Sequence, residues 1–250
     1  MQHLVGWFQD VDQGAAAADI DVIPDETLFA QGDIIRVPEA MNLLQGVAMV
    51  SAATTFTSAQ LQAPSLRTLT DFDILPVART ATFPNPPSLA WLGNNPMSLI
   101  PNESLTFNTN TDHAAAIEIY GFVWLADTPP AAVNGEIFSV RATAAITLVD
   151  GAWTNGDLTF TQDLPFGDYD VVGFRAESAN LIAARLVFPG GRWRPGVPGA
   201  NDPADVDAPQ FRYGMSGVLG SFNSNSPPSV DMIGVTDTAE TVILDLIKTG

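Results

Sequence analysis

Apolar and polar residues alternate in short runs along most of the chain, and turn residues separate the runs. Stretches rich in Val, Ile, Phe and Thr, bounded by Gly, Pro, Asn and Asp, mark strands whose side chains point alternately to two faces. On this pattern strands are predicted at 33–37, 46–57, 103–108, 115–125, 137–148, 157–162, 169–176, 181–188, 229–234 and 240–247. One or two helical turns are expected in the alanine run at 15–18 and in the segment 38–45. With 19 prolines and 20 glycines in 250 residues, and few 3.6-residue patterns, the chain reads as all-β.

The pattern recurs. "TDHAAAIEIY" from Thr111 and "TDTAETVILD" from Thr236 share Thr-Asp, a variable residue, Ala and an aliphatic run, at a spacing of 125. "QGDIIRVPE" (31–39) is echoed by "NGDLTFTQD" (155–163), and Gly46-Val47-Ala48 by Asp170-Val171-Val172. Pro64 is echoed by Pro189, and "WLG" (91–93) by "VLG" (218–220), so all five landmarks keep offsets of 124–127. A fixed self-similar spacing is the mark of a duplicated unit; the alternative is coincidence between stretches of similar β composition.

The duplication predicts two tandem β-sandwiches, 31–127 and 137–250, each the size of a compact jelly roll. Residues 128–136, Pro-rich and polar, read as a linker. Residues 1–30 fall outside the repeat; with six acids, no Lys or Arg and the apolar "LVGWF", they read as an N-terminal arm with a short anchor.

Charge narrows the function classes. The net charge is −18, and the acids are mostly Asp, while Lys248 is the single lysine. Such a surface resembles proteins from salty environments, where repulsion is screened; the plainer reading is an acidic, soluble surface. Either way, binding of nucleic acid through clustered cations is disfavoured. There is no cysteine, which removes disulfides and thiolate chemistry. "MQHLVGWFQD" lacks the basic and long apolar regions of a secretory signal, and "AAAIEIYGFVWLA" (114–126) is too short for a membrane-spanning helix.

Candidate chemistry is thin. His3 lies in the arm and His113 beside a strand. "GMSGVLG" (214–220) approaches a nucleophile elbow, but Val218 stands where the last glycine belongs and no histidine follows. "GGRWRPG" (190–196) is Gly-rich without a following helix to aim amides at a phosphate. No enzyme activity is expected. Asp-x-Asp pairs recur, and Asp202, Asp205 and Asp207 in "NDPADVD" are the best oxygen ligands for Ca²⁺, although the loop lacks the Gly and final Glu of an EF-hand. The alternative is a solvated acidic loop. Arg175, Arg185, Arg192, Arg194 and Arg212 crowd one region with Trp193. They make either a cationic contact face or internal pairs with Asp.

Taken together, the repeat and the segments "DYDVVGFRAESANLIAARLVFPG" (168–190) and "RYGMSGVLGSFNSNSPPSVDMIG" (212–234) resemble the double jelly-roll major capsid proteins of tailless icosahedral viruses, in particular the small bacteriophage members. The resemblance implies two jelly rolls per chain, and a homotrimer that tiles a shell as a pseudo-hexagon. It also implies assembly in the host cytoplasm, residence in the virion capsid, and minor capsid proteins or an internal membrane as further partners. Sequence-specific nucleic-acid binding is not implied. Two other classes fit the composition: a two-domain carbohydrate-binding lectin or adhesin, with Trp91, Trp124, Trp153 and Trp193 stacking on sugars, and a phage decoration or tail protein.

Overall fold

The computed structural model describes residues 1–12, 18–22, 29–32, 34–51, 56–66, 72–73, 77–78, 88–111, 116–149, 151–200, 209–234 and 240–250. They are all-β, with no α-helix among them and a 3-10 turn at Pro209–Phe211. The segment 38–45, where helical turns were expected, holds a turn and then enters a strand at Leu43. The described chain divides into two compact units, one of Val5–Phe83 with Pro87–Asp127, the other of Thr128–Gly250 with Met1–Leu4.

Among the described residues the strands in chain order are β1 (Gln2–Asp12), β2 (Ala18–Val22), β3 (Ala30–Gln31), β4 (Ile34–Arg36), β5 (Leu43–Ser51), β6 (Phe56–Gln62), β7 (Phe72–Asp73), β8 (Val77–Ala78), β9 (Ser88–Trp91) and β10 (Met97–Ser98). Then follow β11 (Ser104–Thr111), β12 (Ala116–Ala126), β13 (Ile137–Ala144), β14 (Thr154–Phe160), β15 (Asp168–Glu177), β16 (Leu181–Val187), β17 (Gly196–Pro198), β18 (Gly220–Asn223), β19 (Ser229–Gly234) and β20 (Glu240–Lys248).

In the N-terminal unit one sheet runs β1-β12-β5-β10, with β8 and β9 also on β5, and the other runs β3-β4-β11-β6-β7, with β2 also on β11. The expected arm is therefore corrected: Gln2–Asp12 and Ala18–Val22 are sheet strands. The cause is the apolar run itself, since Leu4, Val5 and Trp7 are buried, and Trp7 packs on Phe107 at 5.3 Å between ring centroids. The expected strand 46–57 is two strands, β5 and β6.

In the C-terminal unit eight strands run β17-β16-β19-β14-β13-β20-β15-β18. A short β13–β14 ladder, Ala142–Ala144 against Leu158–Phe160, joins two four-stranded halves. Strand β13 alternates buried Val140, Ala142 and Ala144 with exposed Ser139, Arg141 and Thr143, so one of its faces meets water. Strands β16 and β19 are buried along nearly their whole length, and β15 from Val171 to Ala176, which requires cover on both faces. Within the expected linker 128–136, Val133 and Ala131 pack against a loop of this unit: a Cβ at Gly214 would strike Val133, and one at Gly217 would meet the backbone of Ala131.

Candidate functional site

The C-terminal unit presents one surface loop built on an irregular ladder. Strands β15 and β20 pair with a bulge: Val171 faces Leu246 and Gly173 faces Asp245, leaving Val172 without a ladder partner. The unpaired Val172 carbonyl accepts the Gly214 N–H at 2.6 Å, and the Val171 carbonyl accepts that of Leu219 at 2.8 Å. The bulge thus ties down both ends of the loop 212–219.

Asp245 is the third tie. It is fully buried, and its carboxylate accepts Arg175 Nη1 at 2.5 Å and Nη2 at 3.1 Å, the Ser139 hydroxyl, and the Tyr213 N–H at 3.1 Å. Burial alone would raise its pKa; the Arg175 hydrogen bonds, those from Ser139 and Tyr213, and the Arg175 charge outweigh this and hold it below the usual carboxylate value. Tyr213 takes a positive φ of 47°, as do Gly214 at 76° and Gly217 at 72°. A non-glycine residue in this region is uncommon, and here the loop's hydrogen bonds over-determine it. Phe211, Ser216 and Leu219 turn inward, the Ser216 hydroxyl donating to the Gln210 carbonyl, while Tyr213, Met215 and Val218 stand out at 51%, 60% and 40% exposure.

A second buried cluster lies on the other half of the unit. Asp231 on β19 accepts Arg185 Nε at 3.0 Å, Arg194 Nη1 at 2.9 Å and Asn155 Nδ2 at 2.8 Å. Arg185 also stacks on Trp153, 4.2 Å from the ring centroid. Met1–Leu4 lies against this cluster: the Leu4 N–H donates to the Arg194 carbonyl at 2.9 Å, and the buried His3 accepts the Arg194 N–H on Nδ1 at 3.0 Å. Burial, then the charges of Arg185, Arg194 and Arg192, push the His3 pKa down to about 3. His3, expected in a solvated arm, is a neutral interior residue.

The arginine cluster resolves into internal contacts. Arg175 pairs with Asp245, Arg185 and Arg194 pair with Asp231, Arg192 lies over Trp193 and Arg212 over Tyr213. The tryptophans named as sugar platforms are not a surface set: Trp124 is buried, Trp91 meets it edge-on, and Trp153 and Trp193 pack on Arg185 and His3. Asp202, Asp205, Asp207 and His113 lie outside the described residues. Among the described residues no group of three or more His, Cys, Asp or Glu is placed to hold a metal ion, and no helix is long and apolar enough to cross a membrane. Sequence reading missed Asp231 and Asp245. Their one signal was an acid flanked on both sides by apolar residues inside a strand, Val230-Asp231-Met232 and Leu244-Asp245-Leu246.

No family model matches the chain, and no curated protein matches it. Among solved structures it is similar to a Paenibacillus xanthan lyase, at 16% identity and a TM-score of 0.27, over 94% of this chain and a quarter (25%) of that one. It is similar to the major capsid protein P2 from Bacteriophage PM2, at 10% identity and TM-score 0.26, over 100% of this chain and 98% of that one. It is also similar to the STIV MCP, at 9% identity and TM-score 0.25, over 97% of each chain. Likenesses this distant include both an enzyme and capsid proteins, and decide no function.

Proposed function

We propose that each unit is a jelly roll, and that the chain is a major capsid protein assembling through trimeric, pseudo-hexagonal capsomers into an icosahedral shell. The observation that carries this is strand order. The eight strands of the C-terminal unit, counted first to eighth, lie as 1-8-3-6 (β13-β20-β15-β18) and 2-7-4-5 (β14-β19-β16-β17). In the N-terminal unit, with the added strands β2, β3, β8 and β9 of its two six-stranded sheets set aside, β1, β4, β5, β6, β7, β10, β11 and β12, counted likewise, lie as 1-8-3-6 (β1-β12-β5-β10) and 2-7-4-5 (β4-β11-β6-β7). Two four-stranded antiparallel sheets wound in that order are the jelly roll, and its recurrence supports a duplication.

Two similar wedges in each chain, repeated about a three-fold axis, present six similar sectors, a geometry that tiles a lattice without any catalytic step. The proposed partners are further copies of the chain, with minor capsid proteins or a membrane beneath, and the proposed location is the virion. Calcium at Asp202, Asp205 and Asp207 stays part of this reading, as a cation that relieves repulsion between acidic subunits. Sedimentation and negative-stain imaging of the purified chain test it. Trimers or shells are expected; a monomer at high protein concentration and high salt overturns it.

A further inference from the structure

The loop 212–219 combines three properties that ordinary surface turns lack. It is rigid, because the Tyr213 N–H is held by buried Asp245 and the Gly214 and Leu219 N–H groups by β15 carbonyls. Its aromatic is oriented, because the Arg212 guanidinium lies 4.4 Å and that of Arg175 5.9 Å from the Tyr213 ring centroid, and Arg212 also donates to the Tyr213 hydroxyl. It is apolar outward, with Tyr213, Met215 and Val218 exposed within six residues. Single exposed apolar residues need no explanation, but a pre-ordered group of Tyr, Arg and aliphatic side chains has the composition of an interface anchor and avoids most of the entropy lost on docking.

Charge selects the occupant. The chain carries 28 acids against 10 Lys and Arg, yet the loop 212–219 contains Arg212 and no acid, Asp168 and Asp170 lying beyond it against Asn223 and Ser221. Two copies approaching at random faces repel each other; contact through this stretch sets a locally cationic, apolar surface against an acidic one. We propose that the 212–219 loop is a docking knob for a second copy of this chain, with Tyr213, Met215 and Val218 as its apolar centre and Arg212 at its rim. This deepens the self-assembly reading and rests on it. Asp245 acts as a positioning residue, holding the knob from beneath.

The test compares wild type with a Tyr213→Ser, Met215→Glu double variant by sedimentation velocity over a range of protein concentrations. Both changes are at exposed positions, so the variant should melt close to wild type while its self-association weakens at least tenfold. Equal association of wild type and variant overturns the knob and leaves the self-assembly reading standing. A wild type that stays monomeric overturns both. If the double variant fails to fold, Met215→Cys carries the test alone. The chain has no other cysteine, so a benzophenone maleimide attaches there only. Photolysis should join two copies, and cross-links confined within one copy overturn the proposal.

Discussion

A Cβ placed on Gly173 would land on the carboxylate of Asp245, its partner across the β15–β20 ladder. The glycine therefore serves a close approach: it leaves room for a buried carboxylate that pairs with Arg175, receives Ser139 and holds the Tyr213 backbone. In the N-terminal unit Gly46 sits beside the bulge of the β5–β12 ladder in the same way, and there a Cβ would meet Trp91 at 2.8 Å and Trp124 at 3.4 Å. One ladder position is filled by an ion pair, the other by indoles.

Gly173→Ala should destabilise the C-terminal unit by about 3 kcal/mol, the order of separating one buried ion from its partner. Asp245→Asn should fall in the same range, because Arg175 is then left buried without its countercharge. Urea denaturation followed by tryptophan fluorescence checks both, and a loss under about 1 kcal/mol would show the site is loosely held.

Removing Asp231 and removing Arg194 should differ sharply. Asp231→Ala strands Arg185 in the interior and should cost about 3–5 kcal/mol. The Arg194 side chain is 36% exposed, and its loss leaves Asp231 with Arg185 and Asn155, so Arg194→Ala should cost under about 1 kcal/mol. Equal effects in the same denaturation measurement would contradict the shared-carboxylate geometry.

His3 predicts an acid-sensitive stability. Its folded pKa lies near 3, against 6.5 for the free side chain, so below pH 6.5 the unfolded chain takes up a proton that the folded one refuses. Stability from this group is full above pH 6.5 and declines on acidification towards pH 3 by up to about 1.4 kcal/mol per pH unit. His3→Asn keeps an acceptor for the Arg194 N–H and does not titrate, so its denaturation midpoint should vary less between pH 4 and 6.5. An unchanged pH profile would remove His3 as the cause. The Asp245 contribution has the same sign: it is present above the unfolded carboxylate pKa and lost as pH falls through the depressed folded value.

Assembled particles should gain thermal stability with salt, because each subunit carries −18. If Asp202, Asp205 and Asp207 hold Ca²⁺, a chelator should lower the melting temperature of wild type and leave that of Asp205→Asn unchanged. Particles indifferent to both treatments would refute an electrostatic limit on assembly.

Short apolar runs bounded by turn residues made three C-terminal strands legible almost to the residue: 181–188 is Leu181–Val187, 229–234 is Ser229–Gly234 and 240–247 is Glu240–Lys248. Alternation reports burial of one face, and β1 was lost because Asp10 and Asp12 at its end made an apolar strand look like part of an acidic tail. Register was less visible. The Thr-Asp stretches set Ile117 against Val242, whereas aligning the two ladder bulges sets Gly46 against Gly173 and Trp124 against Asp245. A bulge inserts one residue on one strand only, and no local composition announces it. The arginine cluster was visible, but its partners Asp231 and Asp245 were not, because cross-strand neighbours are set by pairing over tens of residues.

Strand β20 lies between β13 and β15 in the sheet, yet it is translated after both and after the loop that Asp245 holds. Until it emerges, β13 has no route to β15, Arg175 has no countercharge and the Tyr213 backbone has no acceptor beneath it. Before then only the β15 carbonyls are in place to hold Gly214 and Leu219, and the tie from Asp245 to the Tyr213 backbone is missing. If the loop is the proposed docking knob, the same late strand that closes the sheet also completes the knob's seat, and contact between neighbouring chains on one messenger should be weakest until each has finished folding.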